Sequence, residues 1–451
     1  MNIFKTPEGY LYSNKALLAL FIPILIEYTL EFSVGFADSI MVASLGEAAI
    51  SGVSLVDFLM QILIFSFSAL ATGGAVVAGQ YLGNKQIDHA RQSVTKLFWF
   101  STIVSIVIMV VVIILRQYMV GLLFGQIEAD VWMNADKYLF VVALSIPFIA
   151  IYNAAAAIFR TTNNAYLPMK ILLVCDILNL IGNAFCIYYL GWDVLGVAIP
   201  TVISRALAAL VLLYFAVDKN YKLHIKRTLR YKFDSIMLKK VLQVGIPYGI
   251  ENGLFQVGKV FVLSLISTFR TVSIAANSVG HAIAVFSVLP GFAINFGITT
   301  VISKCVGAND YNQAKYYNKK CLLIVVIANC IVNLVIFAIL PLILRVYNLS
   351  AQTTDLILQM VIWHEIFAII IWPLAFTLPA TFRGAGDSKS VMYISLIVMF
   401  FCRIVLSYAL AYWMGIGVFG TWIAMFIDWY ARAAIFICRY FSGKWMEYRV
   451  I

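Results

Sequence analysis

Three carboxylic acids lie in one apolar run near the start of the chain. Glu27, Glu31 and Asp38 belong to the stretch FIPILIEYTLEFSVGFADSIMV. Each residue of an α-helix advances by about 100°, so positions four and eleven residues after Glu27 fall close to the same face. Acids that share a face in a medium of low dielectric can hold and release a proton near neutral pH. With hydroxyl or amide oxygens beside them, they can bind Na⁺ instead.

Further polar side chains interrupt other apolar runs. An ionisable group inside such a run marks a functional site by default, because burying its charge is costly. We assign ion coupling to Asp38, Glu27, Glu31, Asp176, Asn179, Asn183 and Glu251, and substrate binding to Glu27, Asp38, Gln256, Lys259 and His281. A possible Na⁺ site lies near Asp38 or Glu251. For each of these groups the alternative is a structural hydrogen bond to a neighbouring helix.

Two prolines, Pro23 and Pro247, each precede an acid of this set by four residues. A proline loosens the helical hydrogen bonding around it, so we interpret both as hinges, with a static kink as the alternative. Arg160 and Arg383 are interpreted as anchors of cytoplasmic loops.

The elements that carry these residues are membrane-spanning helices. The chain has 451 residues, of which 63% are hydrophobic and 12% charged, and its mean hydropathy is +0.94. Continuous apolar runs of this length cross a bilayer as helices, and their lack of alternation excludes a β-barrel. The predicted spans are 16–43, 52–79, 94–115, 135–158, 168–190, 195–217, 241–267, 278–302, 319–344, 358–380, 391–413 and 418–440.

The net charge of +11 reflects membrane topology rather than nucleic-acid binding, because the Lys and Arg residues lie between the apolar runs. Alternate loops collect most of them, whereas the opposite loops hold Arg116, Lys137, Arg270 and Arg345. By the positive-inside rule, both termini and the basic central loop are cytoplasmic. We predict a six-helix lobe over 1–217, a basic linker over 218–240 and a second six-helix lobe over 241–451. The linker sets topology or, alternatively, binds a partner or lipid.

The two halves repeat one another. Pro23 and Pro247, Gly83 and Gly307, and Gly196 and Gly420 are each 224 positions apart. Six spans per half place both halves in the membrane in the same orientation, so a pseudo-twofold axis along the membrane normal should relate them. The predicted fold is an all-α membrane protein of twelve transmembrane helices in two six-helix bundles.

The chain resembles the MATE (multidrug and toxic compound extrusion) family. The likeness rests on FADSIMVASLGEAAISG at 36–52, GQYLGNKQIDHAR at 79–91, LNLIGNAFCIYYLGWDVLGVAIPT at 178–201 and FRGAGDSKS at 382–390. This resemblance implies two lobes forming a V around a central cavity, and antiport of H⁺ or Na⁺ against organic, often cationic, compounds. It departs at Phe255, where many sodium-using members carry a glutamate, and at Asn183, where some proton-using members carry an aspartate. The coupling ion therefore stays open.

Other functions are less consistent with the sequence. No phosphate-binding G-x-x-x-x-G-K-[ST] motif is present, so transport should use an ion gradient. The related alternative is a flippase for lipid or lipid-linked oligosaccharide, and a membrane-embedded enzyme is disfavoured because no catalytic cluster is evident. We expect no cofactor beyond the coupling ion, and a monomer in the plasma membrane of a bacterium, with lipid and a small-molecule substrate as its partners.

Overall fold

The computed structural model describes residues 6–124, 128–226, 235–269, 271–347 and 349–451. The chain forms two compact units. Lys15–Gly249 form one, here called the N-terminal unit, and Ile250–Ile451 together with the segment up to Asn14 form the other, the C-terminal unit. The division between the units falls inside a single helix, between Gly249 and Ile250.

The first six spans are α1 Asn14–Ala43, α2 Glu47–Gly83, α3 Ile87–Phe124, α4, α5 Tyr166–Tyr189 and α6 Leu195–Ala216. Helix α4 consists of Ala129–Ala143 and Ile146–Thr161, which meet at an angle of 46°. The break falls just before Pro147, which has no N–H to continue the hydrogen bonding of the preceding turn. Helix α5 ends in a π-helical turn over Phe185–Tyr189.

The last six spans are α7 Ser235–Ser267, α8 Thr271–Gly307, α9 Tyr311–Tyr347, α10 Ala351–Ala385, α11 Ser388–Trp413 and α12 Val418–Phe441. A short 3₁₀ turn, Lys444–Glu447, follows. Wider π-helical turns occur in α10 at Pro373–Thr377 and in α11 at Met399–Val405 and Tyr408–Trp413. Such turns shift the faces of a helix and are frequent at functional sites.

The predicted helical architecture is confirmed. Within the described residues, eleven of the twelve predicted spans each correspond to a single membrane-spanning helix. The remaining span corresponds to the bent pair of helices that forms α4. Several helices are longer than predicted, and α3 reaches 38 residues. At a rise of about 1.5 Å per residue, such a helix is longer than the ~30 Å thickness of the hydrocarbon core. Its polar ends extend beyond the apolar run from which the span was predicted.

Glycines at repeated positions perform the same tasks in both halves. Gly191 and Gly415 both turn the chain with a positive φ, of 68° and 71°. A Cβ atom on Gly196 would lie 3.0 Å from Cγ1 of Ile187, and one on Gly420 would lie 2.8 Å from the backbone N of Ala411. The contacted residues are themselves 224 positions apart. The repeat therefore preserves backbone geometry and helix packing as well as residue type.

The segment that precedes α1 packs against the start of α9, and the segment that precedes α7 packs against the start of α3. In the C-terminal unit, the buried Tyr12 exchanges hydrogen bonds with the hydroxyl of Tyr317 on α9, at 2.7 and 2.9 Å. In the N-terminal unit, Nε of Arg91 on α3 donates to the carbonyl of Lys222 at 3.1 Å. Of the predicted linker 218–240, residues 227–234 lie outside the described part, and residues from Ser235 onward belong to α7.

Candidate ion and substrate sites

Asp38 of α1 joins a polar network with α5 and α6. Its Oδ1 accepts a hydrogen bond from Nδ2 of Asn183 at 2.7 Å, and Asn183 also contacts Oδ1 of Asn179 at 3.3 Å. Asn179 in turn donates to the hydroxyl of Thr201 at 3.1 Å. Among the described residues Asp38 forms no ion pair within 4.0 Å. The network thus links the carboxylate of Asp38 to amide and hydroxyl groups, and Arg205 acts on it only from beyond ion-pair distance.

A second acid, Asp57 of α2, lies beside Asp38. The hydroxyl of Tyr138 donates to Oδ1 of Asp57 at 3.2 Å. Both acids line one small pocket, together with Ser39, Val42, Ile50, Val53, Ser54, Tyr138 and Val197. The sequence analysis missed Asp57, although it is a single acid in an apolar run and meets the criterion that selected Asp38.

The other acids of the N-terminal unit approach this network without bonding to it. Asp176 is close enough to Glu31, Asp38 and Glu27 for electrostatic repulsion, and its Oδ2 is buried without a hydrogen-bond partner. Glu31 is exposed at the surface of the unit. The predicted grouping of α1 and α5 thus brings the acids into electrostatic range, whereas only Asn183 contacts Asp38 directly.

Glu27 has a fixed basic partner. Its Oε1 accepts from Nη2 of Arg160 at 2.6 Å and from the hydroxyl of Tyr152 at 2.8 Å. The side chain is buried, with a relative exposure of 4%. Both partners come from α4, whose bend at Pro147 precedes them. Arg160 therefore does more than anchor a loop, which is the role that the sequence analysis gave it.

The C-terminal unit repeats this pair. Nη2 of Arg383 lies 2.8 Å from Oε1 and 2.9 Å from Oε2 of Glu251, and the hydroxyl of Ser395 donates to Oε1 at 2.8 Å. Glu251 is buried, like Glu27. Each acid follows a buried proline of its own helix by four residues. Glu27 and Glu251 thus each have a basic partner at hydrogen-bond distance, which Asp38 lacks among the described residues, and their assignment to ion coupling stays a prediction.

The two prolines lie inside unbroken helices. Pro23 is within α1 and Pro247 within α7, and both are buried. Their assignment as hinges stays a prediction.

For metal binding, the described residues contain no group of three or more His, Cys, Asp or Glu side chains that could hold an ion. A Na⁺ ion at Asp38 would therefore depend on the amide and hydroxyl oxygens around it.

The candidate substrate residues of the C-terminal unit lie near the ring of Phe255. Nζ of Lys259 is 5.2 Å from the ring centroid, and the guanidinium carbons of Arg403 and Arg432 are 5.7 and 5.4 Å from it. Gln256 is half-buried, next to Phe255 on α7 and three residues before Lys259. His281 of α8 is exposed and lies within electrostatic range of Lys259 and Arg403. Phe255 stands where many sodium-using members of the family carry a glutamate, and three cations lie within 5.7 Å of its ring centroid.

Comparison with known proteins decides the family. The sequence model of the MatE family matches residues 23–185 and, a second time, residues 247–409. The chain belongs to the MATE family. Both matches start at a proline of the repeat and are offset by the same 224 positions, so the family model detects the duplication found in the sequence.

Curated MATE-like relatives match over nearly the full chain. The "Uncharacterized transporter YisQ" of Bacillus subtilis is 26% identical over 447 residues, covering 96% of this chain and 95% of the relative. The "Probable multidrug resistance protein NorM" of Thermotoga maritima is 23% identical over 446 residues, with coverages of 97% and 94%. YisQ is named as a transporter and NorM as a probable multidrug resistance protein, and MATE proteins are not enzymes.

Solved structures share the fold. A MATE protein in the "straight conformation" superposes with a TM-score of 0.88 at 20% identity, covering 96% of both chains. The "bent conformation" gives 0.85 at 20% identity with the same coverage. A MOP superfamily transporter from Pyrococcus furiosus, described by a "reverse polarity of binding pocket", gives 0.87 at 19% identity and 96% coverage of both chains. This MATE chain is therefore a multi-pass membrane protein with the twelve-helix, two-bundle architecture.

Proposed function

We propose that this MATE protein is a secondary antiporter that exports small organic, cationic compounds in exchange for H⁺ or Na⁺ by alternating access. The observation that carries the proposal is the carboxylate of Asp38, which accepts a hydrogen bond from Asn183 and forms no ion pair within 4.0 Å among the described residues. A charge of this kind is expensive within a membrane, at ~2.5–3.5 kcal/mol or more, and a coupling ion would offset that cost.

The surroundings of Asp38 support ion exchange. Asp57 and Asp176 act on Asp38 by like-charge repulsion, which the more distant Arg205 opposes, and binding of one cation or proton relieves this repulsion. In this proposal, amide and hydroxyl oxygens of Asn179, Asn183 and Thr201 can accept a hydrogen bond from a protonated carboxyl or coordinate a bound Na⁺. In this proposal Glu27 and Glu251 set the shape of α1 and α7 and do not themselves carry the ion.

The relatives favour export of organic compounds. NorM of Thermotoga maritima is named a probable multidrug resistance protein. For α1 and α7 we propose that Pro23 and Pro247 permit bending, in line with the straight and bent conformations described for a MATE neighbour. We further propose cytoplasmic termini, a bacterial plasma-membrane location and a monomer with lipid around it, as expected from the sequence.

Transport by purified protein in liposomes tests the proposal. Rhodamine 6G, a cationic dye, is followed by fluorescence while one gradient at a time is imposed: proton, then sodium. We expect dye movement against its own gradient under at least one of these conditions, because ion binding at Asp38 and substrate binding are coupled. Liposomes with dissipated gradients and protein-free liposomes serve as controls. Dye movement at the same rate with and without every gradient would rule out antiport.

A lipid flippase is the second candidate, and the cations around Phe255 favour it. Flippases of lipid-linked oligosaccharide require a site for an anionic group, and Lys259 and Arg403 provide two positive charges. The same liposomes, with a fluorescent anionic lipid in place of the dye, distinguish the two functions. Lipid exchange between leaflets without gradient-dependent dye export would favour the flippase.

A further inference from the structure

Most arginines in the helices of the C-terminal unit have a carboxylate beside them. Arg383 pairs with Glu251 at 2.8 Å, Arg432 pairs with Asp428 at 3.0 Å, and Arg439 pairs with Asp387. Lys259 of α7 and Arg403 of α11 differ. Neither forms an ion pair within 4.0 Å, nor a side-chain hydrogen bond, with any residue that the structure describes. Two positive charges in the membrane-spanning part of this unit thus have no direct counter-charge among the described residues.

These two cations converge on one aromatic ring. Lys259 and Arg403 both approach Phe255, at 5.2 and 5.7 Å from its centroid, and they act on one another by like-charge repulsion. A single phenyl ring attracts a cation weakly, so it does not balance both charges. An unpaired charge in a membrane helix normally faces a partner, a cavity or a ligand. Both side chains are half-buried, so part of each can be reached from outside the unit.

The acids of the unit do not supply the missing partner. Asp428 attracts Arg403 electrostatically, but both of its carboxylate oxygens bond to Nε of Arg432, at 3.0 and 3.1 Å, and it forms no ion pair with Arg403 within 4.0 Å. Glu365 is fully buried, and its Oε1 lies 3.4 Å from Nδ1 of His364. His281 lies within electrostatic range of both Lys259 and Arg403, and an N–H of its imidazole can donate a hydrogen bond to a negative ligand.

We propose that Lys259 and Arg403 form a binding site for the anionic group of an amphiphilic organic compound, a carboxylate or sulfonate on an aromatic body. The planar guanidinium of Arg403 can donate two parallel hydrogen bonds to such a group, and Lys259 adds a point charge. The ring of Phe255 packs against the apolar part of the ligand. The site goes beyond the proposed function, because its ligand is an anion and the proposed exported compounds are cations. Only a role of the site in transport rests on that function. The headgroup of an anionic lipid offers the same chemistry.

Equilibrium binding to the purified protein in a neutral detergent tests the site without any ion gradient. Two xanthene dyes with similar ring systems, anionic fluorescein and cationic rhodamine 6G, are titrated by fluorescence anisotropy. The variants are Lys259→Met, Arg403→Met and the double substitution. Lys170→Met is the matched control, because Lys170 is exposed and lies 4.9 Å from the ring of Tyr166 in the other unit.

We expect each single variant to weaken fluorescein binding roughly tenfold, which corresponds to about 1.4 kcal/mol, and the double variant to weaken it further. Rhodamine 6G binding should not weaken in these variants, because removing a positive charge does not reduce the attraction of a cationic dye. The Lys170→Met protein should bind fluorescein within about twofold of wild type. The midpoint of thermal unfolding should not fall in the double variant, because an unpaired charge has been removed from the membrane helices. A fall in that midpoint would show a structural partner and overturn the site.

Two further results would also overturn it: no saturable fluorescein binding to the wild type above that of empty micelles, or equal fluorescein affinity in wild type and double variant. A failure of either kind leaves gradient-driven export of rhodamine 6G intact, so the two proposals fail separately. Adding phosphatidylglycerol or, as control, phosphatidylcholine to the micelles identifies the source of the anion. Displacement of fluorescein by the anionic lipid alone supports the site with a lipid headgroup as ligand, and absence of displacement supports it with a soluble compound.

Discussion

Replacing Asp38 with asparagine should reduce gradient-driven dye export by at least about tenfold, because coupling between two sites is typically worth ~1–3 kcal/mol and this change removes the group that binds the ion. Asparagine keeps an Oδ1 that can accept the 2.7 Å hydrogen bond from Asn183, so the α1–α5 contact survives. The measurement is the initial rate of rhodamine 6G transport in liposomes under the gradient that drives the wild type.

A matched control for this variant is Asp193→Asn. Asp193 lies outside the spans and pairs with Lys137 at 3.1 Å on the surface. Partial burial acts to raise its pKa, but hydrogen bonds from the backbone N–H of Leu195 and from Lys137 outweigh this and lower the pKa below its usual value. Asp193 therefore stays ionised at neutral pH, and its substitution should leave transport within about twofold of wild type, as for a surface ion pair of small energetic effect. An Asp38→Asn protein that exports dye at the wild-type rate would disprove the assignment.

The Glu251→Gln substitution should lower the free energy of unfolding by roughly 3–5 kcal/mol, because it leaves the guanidinium of Arg383 buried without its counter-charge. Arg383 and Ser395 both bond to Glu251 within 2.9 Å, so the loss concerns a fully formed contact. Thermal unfolding in detergent should show the effect as a lower midpoint. Glu27→Gln should behave alike, since Arg160 holds it in the same way.

The double variant Glu251→Gln with Arg383→Met provides the decisive comparison. Removing both charges should restore most of the lost stability, since a buried ion pair is often no more stable than the neutral residues that replace it. Glu47→Gln, at an exposed position of α2, is the control for the same chemical change without burial. If the Glu251→Gln protein unfolds at the wild-type temperature, the pair is not structural and Glu251 returns as a candidate for ion coupling.

The sequence predicts the helices and the repeat well, because neither requires knowledge of how the helices pack. A span requires only a continuous apolar run, and the match of Pro23 with Pro247 requires only a constant offset. The pairs formed by Glu27 with Arg160 and Glu251 with Arg383 were missed, since each joins side chains from different helices more than a hundred positions apart. The repeat contained the signal: both arginines match at nearly the same offset as the acids.

The candidate sites were predicted in part. Asp38 and Asn183 were expected on facing helices and do bond to one another. Sequence alone could not separate Asp38 from Glu27, because the difference lies in which acid has a basic neighbour. From the sequence, Phe255 is notable only because many sodium-using members of the family carry a glutamate at this position. The gathering of Lys259 and Arg403 around its ring depends on how α7 and α11 pack, which no pattern in either helix encodes.

Competition between ion and dye at the purified protein tests most directly whether Asp38 couples the two. The affinity for rhodamine 6G is measured from mildly acidic to mildly alkaline pH, and again over a range of Na⁺ concentrations, with wild type and Asp38→Asn side by side. We predict that the wild type binds the dye more weakly as either protons or Na⁺ increase, and that the variant shows no such dependence. A wild-type affinity that is constant across both series would contradict the proposed coupling.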